Sequence, residues 1–211
     1  MSRQRYWIAA GLCLTALLVW LAFFWEPDIG TPAGHSGDGA LRPAGQLAGG
    51  DFTLNSPGGK LALQDYRGKV VLLYFGYTFC PDVCPTALSA LGQAFTALTP
   101  DELAQVQGIF VSVDPERDTM EILNVYAPFF HPRIVGASGT PAQVAEVARR
   151  YGVSYMKQKS VDDRPYTVDH SSSTYLVDRQ GRIAAILPHG APVTDIVSKI
   201  RSHLQKKENT R

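Results

Sequence analysis

The sequence predicts an α/β protein in which a mixed sheet is flanked by helices. Over residues 51–205, apolar runs of strand length alternate with segments whose apolar residues recur at helical spacing. Two of these runs, "KVVLLYFGY" and "VQGIFVSVD", are almost continuously apolar, which is typical of strands covered on both faces. Alternation of this kind favours helices packed in layers against a sheet.

The first half of this region predicts a hairpin, a strand, a helix and a second strand, in that order. The runs "FTL" and "KLALQDY" flank the turn sequence "NSPGG", which indicates the hairpin. The strand in "KVVLLYFGY" leads into a helix over residues 83–98, in which Leu88, Leu91 and Phe95 share one face. The second buried strand follows in "VQGIFVSVD".

The second half predicts two helices, an irregular insertion, a pair of strands and a closing helix. The first helix, in "RDTMEILNVYAPFF", ends before Pro132, and the second has Thr140 as its cap and Gly152 at its end. The polar stretch "VSYMKQKSVDDRPYTVDHS" is predicted to be irregular, "STYLVDRQGRIAAIL" to form two strands, and "PVTDIVSKIRSHL" to be an amphipathic helix. This order predicts a thioredoxin-like fold with an added N-terminal hairpin and an insertion.

An uncharged apolar segment, residues 6–25, precedes this region. At about 1.5 Å per residue, a helix of this segment reaches about 30 Å, enough to cross the hydrocarbon core of a membrane. Arg3 and Arg5 lie before it, and basic flanks stay on the cytoplasmic side. A cleaved signal peptide is the competing interpretation, but no small-residue cleavage site follows the apolar run. We therefore expect one transmembrane anchor.

This interpretation divides the chain into consecutive parts. Residues 1–5 form a cytoplasmic stub, 6–25 the anchor, 26–50 a flexible linker rich in Gly and Pro, 51–205 the folded domain, and 206–211 a tail. The protein is expected to be a single-pass protein of the inner (cytoplasmic) membrane, with its soluble domain on the periplasmic side.

Composition argues against nucleic acid as a partner and limits the roles that the cysteines can have. The formal net charge is +1 and the basic residues are spread along the chain, so no nucleic-acid-binding face is predicted.

Three cysteines are too few for a disulfide framework. Cys80 and Cys84 lie where a strand passes into a helix, and amides at a helix N-terminus stabilise a thiolate, so we expect lowered pKa values for both thiols. On these residues alone, a packing pair, a redox pair and a metal site all remain open.

The possible metals differ in the ligands they need. A structural zinc site takes four nitrogen or sulfur ligands, and the sequence offers no second Cys-Cys or Cys-His pair. Cu(I) prefers thiolates, and two sulfurs with one neutral imidazole complete a three-coordinate site. Among the histidines, His170 is the best-placed candidate, because it lies in a polar segment directly before a buried strand. His189, in a strand-to-helix loop, is a weaker candidate, and His131 and His203 are expected at the surface. On the residues alone, the choice of imidazole stays open.

Three stretches, "FGYTFCPDVCPTAL", "VSVDPERDT" and "YTVDHSSSTYLVD", together resemble the Sco/SenC family of membrane-tethered copper chaperones, which assist assembly of cytochrome c oxidase. The resemblance runs from about residue 50 to residue 203. It implies a thioredoxin-like fold and copper ligands at Cys80, Cys84 and His170. It also implies a role in copper handling and partner contact for Asp114, with Asp118 as a second candidate. Some relatives carry His directly before the first motif cysteine, where this chain has Phe79.

The resemblance implies a copper chaperone that binds one Cu(I) ion and delivers it to the dinuclear copper centre in the copper-receiving subunit of cytochrome c oxidase. It leaves open whether Cu(II) also binds, and whether another copper chaperone or a thiol reductant is a partner. Asp114 and Asp118 would then steer a basic partner, hydrogen-bond the histidine, or cap the following helix. A Cys80–Cys84 disulfide would abolish the metal site. The alternative function is a thiol–disulfide oxidoreductase that keeps the acceptor cysteines reduced.

Overall fold

The structure is a computed structural model that describes Trp7, Trp20 and residues 47–159 and 165–205. The chain divides into two units, Met1–Asp38 and Gly39–Arg211, and the elements given below all belong to the second.

The predicted stub, anchor, linker and tail fall almost entirely outside the described residues. Among the residues that are described, no helix combines the length and the apolar character needed to cross a bilayer.

A hairpin opens the described domain, as the sequence predicts. Strands β1 (Thr53–Ser56) and β2 (Gly59–Ala62) pair antiparallel, and a short 3-10 helix over Leu63–Tyr66 follows. The hairpin is separate from the central sheet, apart from one bridge between Asn55 and Ser138. It is therefore an addition to the main fold.

The central sheet is mixed and has five strands among the described residues. They are β3 (Val70–Gly76), β4 (Val106–Ser112), β5 (Ile134–Ala137), β8 (Thr174–Val177) and β9 (Ile183–Leu187), in the spatial order β5-β4-β3-β8-β9. Strand β3 pairs parallel with β4 and antiparallel with β8, and every residue of β3 and β4 is buried. The two continuously apolar runs thus form the centre of the sheet, as expected.

Helices flank this sheet and complete the thioredoxin-like arrangement. They are α1 (Val83–Thr96), α2 (Pro100–Ala104), α3 (Met120–Phe130), α4 (Pro141–Tyr151) and α5 (Val193–Leu204). Helix α1 packs against α3 and α5. The start of α4 is a capping box between Thr140 and Gln143, and Gly152 ends the helix in the left-handed conformation with φ of 67°. The predicted signals at both ends of α4 are therefore confirmed.

The polar insertion differs from the prediction. Part of it forms a two-stranded antiparallel sheet of β6 (Tyr155–Lys157) and β7 (Val168–His170), in which Tyr155 pairs with His170. The expectation of an irregular segment is wrong here, because strands of three residues are too short to show an alternating pattern. Strand β5 was not predicted for the same reason, since it has four residues.

The last residue of β3 allows the sheet to approach α1 closely. A Cβ atom on Gly76 would lie 2.6 Å from the Cys84 Sγ and 3.1 Å from ring atoms of Tyr74 and Phe110. Only glycine fits between the end of the strand and this sulfur without displacing one of them.

We expect Gly76→Ala to lower the free energy of unfolding by about 1–3 kcal/mol, because the added methyl overpacks a filled space. Gly58→Ala is the matched control: its Cβ would meet nothing within 4 Å, so stability should change by no more than about 0.5 kcal/mol. Urea denaturation of the reduced protein measures both variants. Equal midpoints for Gly76→Ala and the parent chain would contradict the close approach.

Candidate metal centre

Three predicted ligand residues converge at the end of β3. One donor atom from each of Cys80, Cys84 and His170 can be chosen so that all three lie within 4.8 Å of one another. The Cys84 Sγ and the His170 Nε2 are 3.2 Å apart. Cys84 is fully buried, while Cys80 and His170 are half-buried. The arrangement can therefore enclose a small cation and still leave one sulfur accessible.

The two cysteines are positioned by the passage from strand to helix. Cys80 belongs to the loop between β3 and α1, where its amide donates to the Tyr77 carbonyl at 3.3 Å. Cys84 is in the first turn of α1, and its amide donates to the Cys80 Sγ at 3.5 Å. An amide that has no partner within the helix thus contacts the first sulfur.

His170 is fixed in orientation and in tautomer. It is the last residue of β7, and its Nδ1 lies 3.0 Å from the Ser171 carbonyl oxygen. A carbonyl only accepts, so Nδ1 carries the proton and donates it there, which leaves the Nε2 lone pair directed at Cys84. Burial lowers the pKa of His170, and the hydrogen bond to Ser171 offsets part of that effect. The imidazole is therefore neutral at physiological pH, as a metal ligand must be.

Aromatic rings enclose the imidazole on the protein side. The rings of Tyr74 and Tyr77 meet the His170 ring edge-on, with centroids 6.2 and 5.9 Å away. The Tyr74 hydroxyl is buried next to Cys84 and has no hydrogen-bond partner of good geometry among the described residues. The imidazole and the Cys84 sulfur therefore lie in surroundings of low polarity.

The electrostatics of Cys84 differ from the sequence-based expectation. Burial raises the pKa of the Cys84 thiol well above its ordinary value, and the neighbouring Cys80 raises it further. The expectation that the helix N-terminus lowers the pKa is wrong for Cys84. Its side chain is fully enclosed, and the loss of hydration outweighs the effect of the helix amides. Burial therefore favours the protonated thiol of Cys84 over the thiolate.

Asp118 supports the cysteine loop through hydrogen bonds. Its carboxylate accepts the Thr78 amide at 3.0 Å, the Thr78 hydroxyl at 2.6 Å and the Ser112 hydroxyl at 2.5 Å. Burial raises its pKa, and these donors lower it in part. The idea that Asp118 caps the next helix is wrong, since the Thr119 side chain caps α3. Asp118 instead joins the end of β4 to the residue two before Cys80.

Asp114 is likewise buried, and its carboxylate contacts Tyr166 and Arg117. It accepts the Tyr166 hydroxyl at 2.8 Å and pairs with Arg117 Nε at 2.5 Å. Neither Asp114 nor Asp118 is exposed, so neither presents its charge to a basic partner, and neither has a hydrogen bond to His170 among the described contacts. The steering role expected from sequence therefore does not fit their burial, whereas a supporting role behind the ligands does.

Sequence reasoning missed the partners of these carboxylates. Thr78, Ser112, Arg117 and Tyr166 all contact Asp114 or Asp118. The signal available was the density of polar residues in "VSVDPERDT", directly after a buried strand, since such residues must find partners when they are enclosed.

Comparison with known proteins shows which family the chain belongs to. The sequence model of SCO1/SenC matches residues 42–205. Among curated relatives, the Bos taurus protein named Protein SCO2 homolog, mitochondrial, is 37% identical over 201 residues, covering 92% of this chain and 74% of its own length.

Solved structures agree in fold. The structure of Arabidopsis thaliana ScoI with copper bound has a TM-score of 0.68 at 33% identity, covering 76% of this chain and 99% of that one. That of Bradyrhizobium japonicum ScoI with copper bound has a TM-score of 0.68 at 36% identity, covering 74% and 99%. The family model, the bovine relative and these two structures agree: the chain belongs to the SCO1/SenC family.

Proposed function

We propose that this protein is a copper chaperone that binds one Cu(I) ion through Cys80, Cys84 and His170. The convergence of two sulfurs and one neutral imidazole nitrogen is the observation that carries the proposal. Homologous structures that hold copper support the choice of metal. We further propose that the ion is delivered to the dinuclear copper centre of cytochrome c oxidase, as the family resemblance implies.

The donor set suits a soft cation with few ligands. Thiolate and imidazole are preferred by Cu(I), whereas hard cations such as Mg²⁺ and Ca²⁺ prefer oxygen. No fourth His, Cys, Asp or Glu joins this cluster within residues 47–159 and 165–205. A closed tetrahedral zinc site is thus less well matched than three-coordinate copper.

The unequal burial of the ligands supports delivery by ligand exchange. An acceptor thiolate can reach a copper ion beside the half-buried Cys80, form a new Cu–S bond and displace one ligand at a time. Cys84 is enclosed and would leave last. Membrane anchoring through residues 6–25 remains part of the proposal, because tethering near a membrane-bound acceptor raises the effective concentration.

One observation favours a second activity, reduction of disulfides in the acceptor. Cys80 is half-buried and Cys84 lies immediately behind it, an order suited to an attacking and a resolving cysteine. The raised pKa of Cys84 makes it a poor initial nucleophile, so Cys80 would have to attack. The two functions are separable, because only copper binding requires His170.

We expect the reduced full-length protein to bind one equivalent of Cu(I). Cys80→Ser, Cys84→Ser and His170→Ala should each weaken binding about tenfold or more, since loss of even an outer partner of a metal ligand costs about 10–100-fold. Titration against a colorimetric Cu(I) chelator measures the affinities. His203→Ala is the control, since His203 lies on α5, where its ring contacts Lys199 and Ser202. Unchanged affinity in His170→Ala would overturn the proposed site.

The same His170→Ala variant separates the two activities. Its rate of reducing a small aromatic disulfide should stay within about twofold of the parent rate, because the sulfurs carry that exchange. If the parent protein reduces the disulfide rapidly and does not bind Cu(I), the oxidoreductase is the correct function.

Copper binding should release protons at neutral pH. The Cys84 thiol has a raised pKa and is protonated at pH 7–8 in the metal-free protein, whereas copper binds the thiolate. Each proton displaced makes the apparent affinity rise about tenfold per pH unit. The lowered pKa of His170 adds no further dependence in this range. Calorimetry in buffers of different ionisation enthalpy counts the protons, and release of none would contradict the buried thiol.

A further inference from the structure

Arg117, in the loop between β4 and α3, is enclosed by aromatic rings from two separate segments. Its guanidinium carbon lies 3.6 Å from the ring centroid of Tyr166, 4.9 Å from that of Phe79 and 5.6 Å from that of Tyr77. The Arg117 side chain retains only 17% exposure. A desolvated guanidinium stacked on aromatic faces is held more strongly than one in water.

Hydrogen bonds complete this enclosure. Arg117 Nη1 donates to the Tyr166 carbonyl at 2.8 Å, and Arg117 Nε pairs with Asp114. The Tyr166 hydroxyl donates to the other oxygen of the same carboxylate at 2.8 Å. Arg117, Asp114 and Tyr166 therefore form a closed ring of contacts, and the segment that leads to His170 is joined to it through both the backbone and the side chain of Tyr166.

The two enclosing segments are the ones that supply the ligands. Tyr77 and Phe79 precede Cys80 in the cysteine loop, and Tyr166 precedes His170 by four residues. The small sheet that ends in His170 has strands of only three residues, too few to hold its own position. Its placement relative to the cysteines thus depends on contacts outside the sheet.

We propose that Arg117 is a positioning residue: it joins the cysteine loop to the histidine strand and sets the separation of His170 from the two sulfurs. The inference rests on the proposed copper site for its effect on metal binding. The positioning itself holds without metal.

Arginine is needed here for its shape as well as its charge. The planar guanidinium stacks on Tyr166 while directing one N–H at Asp114 and another at the Tyr166 carbonyl. A lysine ammonium keeps the charge but is a single point with no plane to stack. Arg117→Lys should therefore restore little of what Arg117→Ala loses.

A double-mutant cycle in the reduced full-length protein tests the inference with Cu(I) alone. Arg117→Ala should weaken Cu(I) binding about tenfold or more, as expected for a partner that orients a ligand. In a His170→Ala background, the same substitution should have no further effect, because there is no imidazole left to position. Equal losses in both backgrounds would overturn the inference and mark Arg117 as a general stabiliser.

Arg149→Ala is the matched control for charge and spacing. Arg149 also pairs with a carboxylate three residues earlier, Glu146, but both are exposed on α4. Its replacement should leave Cu(I) affinity unchanged. Loss of affinity in Arg149→Ala comparable to that in Arg117→Ala would contradict a role specific to the site.

Hydrogen exchange of the metal-free protein gives a second readout that does not depend on copper. Arg117→Ala should accelerate exchange of the Ser171 amide, which donates to the Ser154 carbonyl at 2.8 Å, and leave the amides of β4 unchanged. Unchanged exchange at Ser171 overturns the inference. If the parent chain fails to bind Cu(I), the proposed function fails, while this measurement still decides the role of Arg117.

Discussion

The metal centre depends on the burial of one sulfur, that of Cys84. It is enclosed between Gly76, the aromatic rings of β3 and β4 and the His170 imidazole, where a thiolate would lack hydration. Without metal, the thiol therefore keeps its proton. A cation bound next to this sulfur compensates the charge directly in surroundings of low dielectric, where the attraction is strong. The neutral imidazole adds a donor without adding charge, so the same burial that disfavours the free thiolate favours its metal complex.

The polar loop that follows β4 supports this arrangement. Asp118 holds Thr78, and Asp114 with Arg117 holds Tyr166, so one short stretch after β4 contacts both halves of the site. The two buried carboxylates differ in the groups that compensate their charge. Asp114 has a cation beside it, while Asp118 has only neutral donors and a raised pKa. In each carboxylate both oxygens accept hydrogen bonds, and satisfied polar groups of this kind rigidify a site.

The parts of the fold that were predictable carry strong local signals. The central strands β3 and β4 follow from continuous apolar runs, and α4 follows from Thr140, Pro141 and Gly152 at its ends. Strands β5, β6 and β7 have three or four residues each, and such short strands depend on pairing partners distant in sequence. In the site, the cysteine pair is local and visible, whereas His170 joins it across 86 residues and was assigned through family resemblance. The raised pKa of Cys84 was not predictable, because burial is a property of the packed structure.

The pairing of β6 with β7 determines which chemical element faces the sulfurs. Side chains alternate along β7, so His170 points toward Cys84 while Asp169 is exposed and accepts a hydrogen bond from Gln158. A slip of the strand by one residue would exchange them and bring a carboxylate oxygen to the position of the imidazole nitrogen. A soft site would become a mixed one better suited to harder cations. The Tyr155–His170 register therefore determines whether a nitrogen or an oxygen atom reaches the sulfurs, and with it which class of metal ion the site prefers.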